Sequence, residues 1–256
     1  MKEKKMADQI DYKIVGDDMQ AVVIGLDPGE TVQAEAGAMM FMEDCIEMNT
    51  EMQGGVFGGL KRMLGGESFF VVTFLNNGRD KRRVSFAAPY PGKIIALNLA
   101  ETGPMLCQRD AYLASAYGIE IEVAFTRRLG AGFFGGEGFI LQRLSGDGWA
   151  FVHAGGTVIS KELKTGESLK VDTGCLVALE NTVEYDITMV SGIKTALFGG
   201  EGLFYAHLTG PGKVFLQTLP FSRLADRIIG AAGAGSKGEV KRGGMGGIIG
   251  NILDGD

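Results

Sequence analysis

Three glutamates in this chain each follow a pair of glycines. Glu67 stands in Gly65-Gly66-Glu67-Ser68-Phe69-Phe70, Glu137 in Gly135-Gly136-Glu137-Gly138-Phe139-Ile140, and Glu201 in Gly199-Gly200-Glu201-Gly202-Leu203-Phe204. The copies lie 70 and 64 residues apart. If three equivalent units gather around one axis, the three carboxylates meet at their junction and could form a small-molecule site. His207 falls where Thr73 and Arg143 fall in the other copies, so it would be the copy-specific member of that site. Paired glycines can also cradle a phosphate with their amides. Here no Lys-Ser or Lys-Thr follows, and a carboxylate repels phosphate. The simpler reading is a turn or bulge before a buried strand, with the glutamate anchoring backbone amides.

Other chemistry is sparse. His153 and His207 are the only histidines, and neither has a histidine, cysteine or carboxylate at ligand spacing, so no metal site is expected. Both read as surface or hydrogen-bonded strand histidines. No Gly-x-Ser-x-Gly elbow occurs, and Cys45, Cys107 and Cys175 lie in no redox or protease context. The methionines Met39, Met40, Met42, Met48 and Met52 read as core filler at period two, with an adaptable binding surface as the alternative. No catalytic residue and no cofactor are expected.

Composition points to construction. Of 256 residues 41 are glycine and only 6 proline, which suits tight turns between strands more than a disordered linker. A net charge of -6 disfavours a general nucleic-acid binder, whose affinity rests on neutralising phosphates. The basic stretch Arg79-Asp80-Lys81-Arg82-Arg83 follows Asn76-Asn77-Gly78 and reads as a solvated hairpin tip, with anionic-lipid contact as its alternative. Three unpaired cysteines fit a reducing compartment. No apolar signal segment opens the sequence and no run spans a bilayer, so the expectation is a soluble, cytoplasmic protein.

The repetition extends beyond the glutamates. Gly29 to Gly37 aligns with Gly103 to Ala111 and with Gly166 to Gly174. Strands rich in valine and isoleucine precede each turn, at Met19–Leu26, Lys93–Ala100 and Gly156–Leu163. In the second copy Ile119, Ile121, Val123 and Phe125 alternate with Glu120, Glu122 and Ala124, which predicts one shared apolar face. Hairpin signals recur at Ser145-Gly146-Asp147-Gly148 and Thr209-Gly210-Pro211-Gly212. About 15 strands result, too many for one open sheet. The expected fold is all-β, a β-sandwich or barrel-like body of three internal repeats with pseudo-threefold symmetry. Its boundaries read as a leader at 1–9, one triplicated domain at 10–225 (repeats near 10–90, 91–154 and 155–220), a short helix at 219–230 and a glycine-rich tail at 231–256.

With these repeats laid out, the chain resembles the family named for altered inheritance of mitochondria twenty-four. The resemblance rests on Gly199-Gly200-Glu201-Gly202-Leu203-Phe204, the following Leu208-Thr209-Gly210-Pro211-Gly212-Lys213-Val214-Phe215-Leu216-Gln217, and the threefold reuse, over roughly residues 10–225. It implies a triplicated β-sandwich similar to that of the tryptophan RNA-binding attenuation protein, without catalytic residues. Fold likeness imports neither RNA nor tryptophan binding.

The functional expectation is a non-enzymatic binding or scaffold protein that self-associates. On the C-terminal helix Leu224, Ile228 and Phe221 fall on one face, and a membrane-peripheral version would use Leu224, Ile228 and Ile229 of that helix together with Lys81, Arg82 and Arg83. The rival from another class is a small-molecule binder or enzyme with one site at the junction of the repeats, built from Glu67, Glu137, Glu201 and His207.

Overall fold

The computed structural model describes residues 6–49, 71–127, 139–189 and 204–234. It divides into two units, Met1–Pro220 and Phe221–Asp256. The first is all-β. Its leading strand, β1 (Asp11–Val15), is followed by six strands: β2 (Ala21–Leu26), β3 (Thr31–Glu35), β4 (Met39–Met42), β5 (Ile46–Asn49), β6 (Val71–Asn76) and β7 (Arg82–Ala87). The next six are β8 (Gly92–Asn98), β9 (Met105–Gln108), β10 (Tyr112–Ala116), β11 (Glu120–Arg127), β12 (Phe139–Ser145) and β13 (Trp149–Gly155), with a one-turn helix α1 (Leu99–Thr102) after β8. The last six are β14 (Val158–Leu163), β15 (Ser168–Asp172), β16 (Leu176–Glu180), β17 (Glu184–Met189), β18 (Phe204–Thr209) and β19 (Gly212–Gln217).

The three sets pair alike. In each, the first, sixth and third strands form one antiparallel triple: β2-β7-β4, β8-β13-β10 and β14-β19-β16. The fourth, fifth and second form another: β5-β6-β3, β11-β12-β9 and β17-β18-β15. Two seams join neighbouring sets, β3 with β10 and β9 with β16, both antiparallel. The sheets therefore run four, six, six and three strands wide, and β4 and β15 lie at outer edges. Among the described residues the structure adds β1 and splits each set into six strands, which exceeds the expected 15.

Sequence explains the recurrence locally. Gly29, Gly103 and Gly166 all adopt positive φ, at 86°, 71° and 77°, a region that residues with a Cβ enter only at a cost. In the first and third sets the next residue caps the turn: Glu30 accepts from the Asp27 amide at 2.7 Å and Glu167 from the Lys164 amide at 2.9 Å. In the second set α1 replaces that turn, and the ladders shift the alignment there by one residue. Gln33 pairs with Thr73, Leu106 with Arg143 and Lys170 with His207. Each third strand also carries a bulge against its sixth, between Met39 and Phe41, Tyr112 and Ala114, and Leu176 and Ala178.

Two apolar clusters hold the body. One, including Ile24, Phe74, Phe86, Tyr112, Phe151 and Val152, joins the first two sets; the other, including Phe139, Leu141, Leu176, Ile187 and Leu208, joins the second and third. Neighbouring sheets meet through ring contacts, Phe74 on Phe86 at 5.1 Å and Tyr12 on both Trp149 and Phe151 at 4.9 Å. Such edge-on pairs add roughly 0.5–1.5 kcal/mol each beyond the area they bury.

Two expectations about apolar faces are corrected. Val123 is 51% exposed while Ile119 and Ile121 are buried, although the register of β11 runs unbroken from Glu120 to Val123 and shifts at a bulge only between Val123 and Phe125. Of the methionines expected as core filler, only Met39 among the described residues packs against the core; Met40, Met42 and Met48 are exposed, since alternation buries a face only where another sheet covers it. Met52 lies outside the described residues.

The second unit contains α2 (Phe221–Ala234), four residues longer at its C-terminus than the expected helix. Phe221, Leu224 and Ile228 recur at helical spacing along one of its faces. No helix among the described residues is long and apolar enough to cross a membrane.

Candidate functional site

Glu67, Glu137 and Glu201 lie outside the described residues, as do the glycine pairs before them. His207 lies on β18, the central strand of the three-stranded sheet, where Lys170 on β15 and Asp186 on β17 pair with it across the strands. The neighbouring Ala206 and Leu208 turn into the core, fully buried, so His207 belongs to the opposite face, between a cation and an anion. Among the described residues no group of three or more His, Cys, Asp or Glu could hold a metal ion.

A different set of titratable groups gathers where the first two strand sets meet. Glu35 ends β3, the strand that forms the seam with β10. Arg109 and Asp110 begin the 3-10 turn that leads into β10, and they hold an ion pair at 3.2 Å. Burial pushes the Glu35 carboxyl from 4.5 up to about 7, with the negative Asp110 adding to the rise and Arg109 opposing it. Tyr90, in the connection before β8, is pushed to about 12, first by burial and then by Asp110 and Glu35. Its ring meets that of His153 edge-on at 4.6 Å.

His153 corrects the expectation of a surface or hydrogen-bonded histidine. It is 2% exposed on β13, and its Nδ1 has no hydrogen-bond partner. Burial brings its pKa down from 6.5 to about 4, so the ring is neutral at physiological pH. Gly92 lets it fit: a Cβ there would lie 2.4 Å from the His153 Nε2 and 2.2 Å from the Ala154 carbonyl oxygen. Its neighbour strand, β8, aligns His153 with Ile94.

This group can carry and hold protons. Glu35 exchanges a proton near neutrality, but the neighbouring Tyr90 phenol is a weaker acid than usual and His153 a weaker base. Of the cysteines, Cys107 is buried and its thiol is pushed up to about 12, which removes the thiolate that nucleophilic chemistry needs. Sequence reasoning missed Glu35 and Tyr90 because their neighbours come from another strand set. The visible signal was a carboxylate closing a strand otherwise buried on both sides.

The seam itself is built from polar contacts. The buried Gln33 donates from Nε2 to the Ser115 Oγ at 2.9 Å and to the Ile119 carbonyl at 2.7 Å, while Tyr112 Oη and Ser115 Oγ share a hydrogen bond at 3.0 Å. The basic hairpin tip is likewise engaged: Lys81 pairs with Asp11 and Asp27, Arg82 with Asp80, and Arg83 with Glu43. Lys81, Arg82 and Arg83 thus each face a carboxylate of the same chain, which offsets much of the positive field expected of that tip.

Comparison with known proteins agrees with this architecture. A crystal structure of a Streptococcus pyogenes protein superposes with a TM-score of 0.72 at 23% identity, covering 87% of this chain and 100% of that one. An uncharacterized protein of Streptococcus pyogenes serotype M6 is 27% identical over 234 residues, covering 88% of this chain and 92% of its own length. Residues 12–219, the span that holds all three strand sets, match the model of the mitochondrial biogenesis AIM24 family, and to that family, named for altered inheritance of mitochondria, the chain belongs.

Proposed function

We propose that the chain is a non-enzymatic scaffold of the cytoplasm that works by associating with copies of itself. The observation that supports this reading is the exposed apolar row on β4, where Met40, Phe41 and Met42 are 63%, 41% and 40% exposed on an outer strand. A row of this kind at a sheet edge favours association over catalysis. Size-exclusion chromatography with light scattering tests it. A mass above 27.2 kDa at micromolar concentration is expected, and a clean monomer refutes the reading.

The apolar face of α2 supports a second reading, a peripheral membrane arm. Because Lys81, Arg82 and Arg83 are paired within the chain, such an arm rests on Leu224, Ile228 and Ile229 more than on the tip. Flotation with vesicles containing anionic lipid should be lost when Leu224 and Ile228 become serine. Equal flotation of the variant, or none for the full chain, removes the arm.

A further inference from the structure

The two internal seams use one rule. The second strand of one set pairs with the third strand of the next, antiparallel and three residues long: Ala34, Gln33 and Val32 face Ala114, Ser115 and Ala116, and Cys107, Leu106 and Met105 face Ala178, Leu179 and Glu180. Applied a third time, the rule needs β15 as second strand and β4 as third strand. Neither has a ladder on its outer side among the described residues. The chain therefore ends in the two halves of a seam that it makes twice elsewhere.

Burial says the same. The residues of β10 and β16 that correspond to Met40, Phe41 and Met42 are Leu113, Ala114 and Ser115, and Val177, Ala178 and Leu179, and all six are buried. All four residues of β9 are buried, whereas Ser168 and Lys170 of β15 are exposed. On β4 Phe41 stands where both internal seams have alanine, and no strand among the described residues pairs with the outer side of β4.

We propose that β4 of one copy pairs with β15 of a second copy, in the register of the internal seams. The bulge positions and the β6, β12 and β18 partners fix that register: Phe41 opposite Val171, Met42 opposite Lys170, and Glu43 opposite Leu169. Main-chain hydrogen bonds give the contact its strength, as in any strand added to an open edge. Because the two edges differ, the contact is head-to-tail, and each copy keeps one edge of each kind until the assembly closes. This inference rests on the self-association proposed above and names its surface.

Cross-linking tests the register. Directly opposed antiparallel residues have Cα atoms about 4.5–5.5 Å apart, within the roughly 4.4–6.8 Å that a disulfide spans. Met42→Cys and Lys170→Cys are made as separate proteins, each carrying Cys45→Asn to remove the exposed thiol, since asparagine tolerates the positive φ of 70° at that position. Mixed and oxidised, they should give a reducible band at twice 27.2 kDa that neither gives by itself. A second variant, Met40→Lys with Phe41→Lys, should leave the circular dichroism unchanged and reduce the assembled mass to that of one chain.

The outcomes separate the two ideas. If the unaltered chain assembles but the mixture does not cross-link, association uses another surface and the edge pairing is overturned while the scaffold reading stands. If the chain is a monomer, both fall. A protein with both cysteines that links within one chain, at monomer mass, shows that β15 closes onto β4 of its own molecule, which also overturns the proposal.

Discussion

Replacing Glu35 by glutamine should uncover a pH dependence that the native protein conceals. The folded state holds a proton on Glu35 up to about pH 7, whereas the unfolded chain releases it near 4.5. That raised value contributes stability fully present below 4.5 and lost as pH rises through 7. His153 has the opposite sign. Its value falls from 6.5 to about 4 on folding, so its contribution is present above 6.5 and lost as pH drops through 4. Between 4.5 and 6.5 the two slopes, each up to about 1.4 kcal/mol per pH unit, oppose one another and the native protein should be nearly flat. Shifts of this size amount to about 3 kcal/mol each, and the partial exposure of Glu35 lowers its share to about 2 kcal/mol. Urea unfolding of Glu35→Gln and the native protein between about pH 4.5 and 8 reads both terms. The variant should gain stability steadily up to about pH 6.5 and exceed the native protein by about 2 kcal/mol at pH 8. A difference between the two curves that stays constant across that range refutes the assignment of a buried, proton-holding Glu35.

Other substitutions examine the framework. Gln33→Leu removes the donor to Ser115 and to the Ile119 carbonyl and strands a buried acceptor, so urea unfolding should show a loss of about 1–3 kcal/mol. Gly92→Ala drives a methyl group into the Ala154 carbonyl and the His153 ring; about 1–3 kcal/mol or more of overpacking should appear as a lower Tm by calorimetry. Asn76→Ala breaks two bonds from Nδ2, to the Leu26 and Asp80 carbonyls, and one from the Gly78 amide to Oδ1. A comparable loss is expected, with faster amide exchange confined to the β6–β7 hairpin as its signature.

Much of the fold was legible because each strand set repeats the needs of a small β unit. The glycine turns at 29, 103 and 166, the hairpins after β12 and β18, and the valine-rich first strands all carry local rules in their own residues. What escaped was set between distant segments. Met40 and Met42 alternate as core residues do, yet whether an alternating strand is covered depends on its place in the array, and β4 is last in its sheet. The burial of His153 depends on Gly92 and Tyr90, which lie five strands earlier in sequence, and Glu35 owes its raised value first to burial and then to Asp110 in a turn that belongs to the next set. The bulge in β11 likewise leaves no mark in the alternation of Ile119 to Phe125. The glutamates that announce each repeat fall outside the described residues, so the candidate site on this structure is a different one.

The direction of the seam rule gives the body an order in time. During synthesis the first set can complete its two triples before the second emerges, since its ladders use residues 21–87. Its β3 edge then waits for β10, and the β9 edge of the second set waits for β16. Each waiting edge is sealed by chain that the ribosome has yet to deliver. The outer edge of β4 exists from the first set onward, and among the described residues no later strand pairs with it. A nascent chain thus displays Met40, Phe41 and Met42 for the whole of its remaining translation, next to any sibling growing on the same message.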